Sequence, residues 1–587
     1  MKKTVVKPGK AGYPFENGLF GVNTEITRKG FFGGLSAQMI NNRKLFAGGD
    51  APFGWVCENY EYITNRKEES LCESNFVILH GGKMSQSSDI IALQSGKKYT
   101  ARLWVKALSD GAAIEFGPAG EEKSFAVPET AEPYTKLSFD FDGTDMKNGT
   151  FTVRADGDIA VYEASLMPKD NFCGMRRDVI EALRYISPSS LRFPGGCAAD
   201  HFDWKQSLKA PEFRVPAHGG DKWFLFRDTY DQDCLDIGIN EFMTLCKELG
   251  AEPEYTVSLL LSDGEDAAGI VEYCNGGTDT KYGAVRQSLG FDRFNVRFFY
   301  IGNEAYFFGR EYQSDGALAA KRTDELIAAM KKADPDVVPV IGLTWAKEFQ
   351  RWNHDFVAEC KSGCEYVSFH DYIGILPDPT QGKNGMATKE MLETNFADGE
   401  SYGLNFYKNG LYPDRFDKIK VCADEWNYSW GQDANNALFF SNALQFHFFA
   451  KSGEKYHIER AAFFMPVNEG MITVKGAECR VDGTGELFHY MQGHKGGEIC
   501  SCEADPSLDV LCTKHGKRLY MSAVNRGAEP CEISVEGYKT VSAVQIAVKE
   551  YGFESNAFEV IQNGGPLYGH SVIFVSLEAD KDRNASI

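Results

Sequence analysis

The chain has little that would tie it to a charged polymer or hold it in a membrane. No apolar run reaches the length of a membrane-spanning helix, and the N-terminal MKKTVVKPGKAGYPF opens with paired lysines but lacks the apolar stretch of a secretory signal. A cytoplasmic protein is expected. Basic residues are in deficit, with 62 Lys and Arg against 83 Asp and Glu and a formal net charge of -21. Phosphate binding needs a basic surface, so nucleic acid and an anionic membrane are excluded as partners and a neutral substrate fits better.

Also missing are internal repeats, low-complexity segments and a compact cysteine framework. Fifteen cysteines lie scattered through 587 residues, an odd count that reads as reduced thiols. Cys360 with Cys364, and Cys500 with Cys502, have the spacing of half a zinc site. Neither is followed by a second pair or a His pair, so no metal and no cofactor are expected. Nothing here sets the oligomeric state, and a homo-oligomer is left open.

What is present is enough chain for two to four domains of ordinary globular composition, 43% hydrophobic and 25% charged. Residues 1–47 read as a first strand, L-F-G-V-N-T-E-I, ending in Glu25, then a turn on Gly33 and Gly34 and a helix. Over 48–168 short alternating runs such as Tyr99–Val105, Lys136–Phe141 and Gly149–Val153 are split by Gly, Asp, Pro and Ser clusters. This is the pattern of an antiparallel sandwich inserted into the next unit. A carbohydrate-binding module and a purely structural sandwich fit it equally well.

From 169 to 475 strands and helices alternate, which argues for a parallel sheet wrapped in helices. Strand ends fall at Gly195 and Gly196, at Ser262–Gly264, at Thr344 and Trp345, at His370–Tyr372 and at Asn468. With the strands that end in Glu25, Glu304 and Glu425, about eight can be counted, enough for a (β/α)8 barrel. After that, 476–587 returns to short strands and turns, a C-terminal β-sandwich. The expected fold class is α/β, a TIM barrel with an inserted N-terminal β-sandwich and a C-terminal β-sandwich.

Two stretches carry chemistry. Phe298–Ile301 is a short apolar strand that ends in Gly302, Asn303 and Glu304, and Ile419–Val421 leads through Cys422 and Ala423 into Asp424, Glu425, Trp426 and Asn427. Parallel α/β folds place their chemistry at the C-terminal ends of strands. Cleaving a glycosidic bond needs one carboxyl to protonate the leaving oxygen and a second to attack the anomeric carbon or activate water. Glu304 and Glu425 could serve so, with amides for sugar hydroxyls and the Trp426 ring for a C–H face. A lone strand-end glutamate is more often a salt-bridge partner, and Arg192 fits either a structural ion pair or a pocket group that holds a glutamate ionised.

The full set resembles glycoside hydrolase family 51, the α-L-arabinofuranosidases. The matching stretches are Gly21–Glu25 with Gly33-Gly34-Leu35 and Asn42-Arg43; Leu191–Gly196 with Phe202-Asp-Trp204; Ile239–Met243 with Leu249–Glu252; Val271–Asn275; Ile301–Glu304; Ser368–Tyr372; and Asp424–Asn427. The resemblance implies Glu304 as general acid/base and Glu425 as nucleophile in a retaining double displacement on a glycoside or oligosaccharide. It also implies Asn303 on the sugar 2-hydroxyl, Glu25 on another hydroxyl, and Tyr372 and Arg192 against the nucleophile. His370 is either a ligand contact or a supporting core histidine. Departures fall at sugar contacts: Cys197 stands where the family usually has Asn, Met465 where it commonly has Gln, and Ser429 where it has Trp, with Trp430 one place on. An exo-acting α-L-arabinofuranosidase is the leading expectation; a related furanosidase, an endo-β-glucanase or xylanase, and an inactive carbohydrate-binding protein remain alternatives.

Overall fold

A computed structural model describes residues 1–216, 234–344, 349–362, 365–372, 411 and 416–580. Trp345 and Cys364 lie outside the described residues.

Eight strands close into a parallel barrel: Gly21–Asn23, Ser190–Phe193, Glu252–Val257, Phe298–Ile301, Val338–Gly342, Tyr366–Tyr372, Lys420–Asn427 and Ile458–Phe464. The last pairs with the first, Phe464 opposite Asn23. Strands of a parallel barrel are covered on both faces, and Phe298–Ile301 is buried at every position. Helices such as Gly316–Ala333 and Asn436–Tyr456 lie between strands. The second of these is buried along almost its whole length and starts where the Asn435 side chain accepts from the Leu438 N–H at 2.9 Å.

Inside the barrel a polar layer stands beneath the C-terminal ends of the strands. Tyr300 donates to Glu254 at 2.9 Å, Arg460 donates to the same carboxylate at 2.9 Å, and the Arg192 guanidinium stacks over Tyr300 at 4.8 Å. Buried charges at this depth are tolerated only when paired, and each pair fixes its neighbour.

Between the first and second barrel strands the chain makes an antiparallel sheet in the spatial order Lys123–Ala126, Ala113–Pro118, Gly149–Asp156, Phe76–Ser88, Asp158–Pro168, Lys98–Ala107, Thr135–Asp142, with Val56–Ile63 added alongside Phe76–Ser88. It has an apolar core of its own. A second eight-stranded sheet is built mostly from residues after 497, and it includes a strand that sequence reading did not find. Lys2–Pro14 runs parallel to Cys531–Val535 and antiparallel to Glu498–Glu503, so the start of the chain belongs to the C-terminal sheet and not to the barrel.

The helix expected after Gly34 is also absent. Phe31–Leu35 forms one wide turn with Gly33 at φ 75°, and the residues beyond it are irregular. Buried polar anchors hold them. Arg43 pairs with Glu163 and Asp236, Lys44 donates to the carbonyls of Pro211 and Arg214 at 2.6 Å each, and Asn42 at φ 45° donates to the Ala47 carbonyl at 2.7 Å. Tertiary ion pairs outweigh local helix propensity there.

Candidate active site

The ends of barrel strands one, two, four, six and seven meet at one buried cluster. Glu425, on the seventh strand, is held at both carboxyl oxygens. Arg192 Nη1 donates to Oε1 at 3.2 Å and Asn23 Nδ2 at 3.3 Å; the Tyr372 hydroxyl donates to Oε2 at 2.8 Å, with His370 Nδ1 at 3.3 Å. Burial pushes this carboxyl up to about 7, with His370 and Arg192 pulling it back down and Glu304 adding to the rise.

Glu304 follows the fourth strand at φ 44°, in the left-handed region, which turns its side chain back across the barrel mouth. His370 Nδ1 is 2.8 Å from its Oε1, and the Tyr306 hydroxyl donates to the same oxygen at 3.2 Å. One carboxyl oxygen of Glu304, one of Glu425 and a His370 nitrogen all lie within 4.8 Å of one another. Burial would lower the His370 pKa, but Glu425, Glu304 and Asp424 together raise it well above its ordinary value, which favours the imidazolium form. Asp424 is pushed up by burial and held below its ordinary value by Arg192 and His370, which outweigh that push. Burial first and the Glu425 charge second drive the Tyr372 phenol well above its usual range, so it remains a donor.

Around this core stand the expected sugar groups. Asn303 accepts from Arg192 Nη2 at 3.0 Å and turns its amide nitrogen toward Cys197 Sγ at 3.6 Å. Cys197, in a short turn after the second strand, directs its thiol at Glu304 Oε2 at 4.0 Å, and burial among carboxylates keeps it neutral. Glu25 accepts from the Gly196 N–H at 2.7 Å and from Thr27 at 2.9 Å. The two glycines let the second strand pass this close: a Cβ at Gly195 would stand 2.7 Å from Glu25 Cβ, and one at Gly196 only 2.2 Å from Glu425 Oε1. Met465 is buried against the Glu25–Gly30 turn, its Sδ 3.0 Å from where a Gly30 Cβ would be.

One expected contact is corrected. Trp426 is fully buried and packs edge-on to Phe449 and Phe463 at 5.3 and 5.1 Å and stacked on Phe488 at 5.9 Å. The strand slips register between Ala423 and Trp426, so Asp424 and Glu425 both reach Arg192 while Trp426 faces the surrounding helices. Its ring is core, not sugar platform, and the loss of such a side chain costs about 3–5 kcal/mol of stability. Trp430 is the exposed ring nearby, with the Arg28 guanidinium 5.7 Å from its centre. Asn23 and Asp424 were missed as site residues. Asn23 sits two places before Glu25, the spacing that puts strand residues on one face.

Residues 182–373 match the alpha-L-arabinofuranosidase 1 domain. Over those residues the chain is similar to the α-L-arabinofuranosidases of glycoside hydrolase family 51. Among its relatives, alpha-L-arabinofuranosidase 2 of Arabidopsis thaliana is 26% identical over 375 residues, which cover 55% of this chain and 53% of that protein. The intracellular exo-alpha-(1->5)-L-arabinofuranosidase of Acetivibrio thermocellus is 28% identical over 225 residues, 37% of this chain and 43% of that one. The chain thus spans about half the length of the relatives it matches. In fold, it is similar to the arabinose-bound MgGH51 α-L-arabinofuranosidase, with a TM-score of 0.77 at 15% identity, covering 98% of this chain and all of that one. The Thermotoga maritima α-L-arabinofuranosidase gives 0.62 at 17% identity and 98% coverage. Against the pattern expected of family 51, Cys197 and Met465 are the departures that fall at or beside the pocket, and Cys197 touches both Asn303 and Glu304.

Proposed function

We propose that this protein is a retaining exo-α-L-arabinofuranosidase in which Glu425 is the nucleophile and Glu304 the general acid/base, acting on arabinose-containing oligosaccharides inside the cell. The carrying observation is the approach of the two carboxyl groups, with oxygens within 4.8 Å of each other. Retaining glycosidases hold their pair about 5 Å apart, whereas inverting enzymes leave room for a water between them.

In the first step the Glu304 carboxyl gives its proton to the departing glycosidic oxygen as a Glu425 oxygen bonds to the anomeric carbon. Arg192 and Asn23 fix Oε1, so the carboxylate cannot rotate away from the carbon it attacks. In the second step Glu304 removes a proton from water, which displaces Glu425 with a second inversion. Asn303 is the donor for the sugar 2-hydroxyl and Glu25 the acceptor for another hydroxyl. No cofactor enters either step.

The test is a panel of aryl glycosides: α-L-arabinofuranoside, β-D-galactofuranoside, β-D-xyloside and β-D-glucoside, with the first-formed anomer read by NMR. Turnover of the arabinofuranoside with retained configuration supports the reading, and first-formed inverted sugar would sink the mechanism. Cys197 and Met465 favour a second reading in which the glycone is another furanoside, because a lost hydrogen-bonding side chain shifts discrimination by a few kcal/mol. Met465→Gln should then raise arabinofuranoside turnover relative to the preferred substrate; an unchanged ratio argues against Met465 as a sugar contact.

Glu425 must be ionised to attack, so activity falls as the pH drops below about 7, where this carboxyl takes up a proton. His370→Gln removes a cation 3.3 Å from Oε2. Loss of an opposite charge at such range raises a carboxyl pKa by about one unit or more, so the acid limb of kcat/KM should move to higher pH by that amount. A limb that stays in place would show that His370 does not tune the nucleophile.

A further inference from the structure

Away from the barrel, the structure closes a gap left by the cysteine spacing. Cys500 and Cys502 project from one face of the strand Glu498–Glu503, and the neighbouring strand brings Cys512 directly opposite Cys500. The three sulfurs lie within 4.8 Å of one another. The missing third ligand is supplied by strand register and not by a local motif.

We propose that Cys500, Cys502 and Cys512 form a three-thiolate site for a soft d10 cation, Zn2+ in the first instance, that fastens these two strands together. Zinc–sulfur bonds of about 2.3 Å place tetrahedral thiolates about 3.8 Å apart, so the cluster needs only a small contraction to close on the ion. Cys500 and Cys512 are buried in the apolar core of the sheet, while Cys502 is half-buried and borders a surface groove lined by Lys10, Tyr13, Ala504 and Asp509. That groove is the entry path, and it leaves the fourth coordination position to water.

Three thiolates and one Zn2+ carry a net charge of -1 in a partly dry setting. Lys514, beside Cys500, and Lys451, itself paired to Asp509 at 2.8 Å, supply part of the counter-charge. Binding releases the three thiol protons to solvent and involves no redox step. Because Cys500 and Cys502 are also paired to Ala11 and Pro8 of the strand Lys2–Pro14, the ion would tie the start of the chain to its C-terminal sheet.

The experiment uses the full chain, purified under reductant, stripped with a chelator and titrated with Co2+ and then Zn2+. Expected is one Co2+ per chain with the intense thiolate-to-metal absorption, displaced by Zn2+. Cys512→Ser should weaken binding by more than the about 10–100-fold that follows loss of even an outer partner, and Cys57→Ser, in the inserted sheet, should leave it intact. Absence of the absorption, an equal signal in Cys512→Ser, or a disulfide between two of the three would overturn the proposal. Should Cys512→Ser fail to fold, alkylation of the wild type decides. Zn2+ should protect half-buried Cys502 from iodoacetamide while exposed Cys173 reacts, and equal labelling of Cys502 with and without Zn2+ would refute the site.

Discussion

Glu425→Ala should lower hydrolysis of an aryl glycoside by about 10⁴-fold or more, the order lost when a covalent nucleophile is deleted. The size follows from the site's division of labour. Arg192, Asn23, Tyr372 and His370 all aim at this one carboxylate, and without it they present a polar cavity with nothing to attack from. That cavity is also the route to rescue. Azide should enter it, attack the anomeric carbon and restore turnover, with a glycosyl azide of inverted configuration as product. Glu304→Ala should instead give a glycosyl azide of retained configuration, because azide there intercepts the covalent intermediate. A Glu425→Ala enzyme within about tenfold of the wild type would remove this residue from the nucleophile's role, whereas a wild type silent across the substrate panel would favour a binding protein.

Gly196→Ala should cost about 100-fold in kcat/KM. The reason is steric: the new methyl would lie 2.2 Å from Glu425 Oε1 and 2.9 Å from Glu25 Oε2. A flexible carboxylate would swing aside, but this one is pinned by Arg192 and Asn23. It must yield by about 1 Å, a misplacement that typically costs about two orders of magnitude. Gly195, its neighbour, has φ 116°, which makes alanine there a change of stability. Full activity in Gly196→Ala would mean that the carboxylate is not held as tightly as its hydrogen bonds indicate.

The parts of this site that sequence made legible share a physical basis. A buried parallel strand is a short apolar run with a polar terminus, so the ends at Glu25, Arg192, Asn303, His370 and Glu425 could be read locally, and the barrel rule then puts them on one face. Trp426 was misassigned because chemical suitability for sugar outweighed geometry, and the register slip that separates it from Asp424 and Glu425 depends on the neighbouring strand. The strand Lys2–Pro14 could not be found in this way, because it alternates weakly and its partners lie about five hundred positions along the chain. Nor could Cys512, whose relation to Cys500 is a matter of register between two strands. Helix propensity around Asn42–Lys44 gave way to charge pairs made with residues from Glu163 to Asp236.

Closure of the barrel between Gly21–Asn23 and Ile458–Phe464 has a consequence for how the protein is made. The first strand leaves the ribosome more than four hundred residues before its second neighbour exists. The inserted sheet, whose pairings all fall between residues 56 and 168, is complete long before then and can fold as a unit on the growing chain. The barrel has to wait. Until the eighth strand emerges, the nascent sheet has open edges that invite pairing with other chains. Synthesis halted in that interval yields a product with one finished domain and one that aggregates.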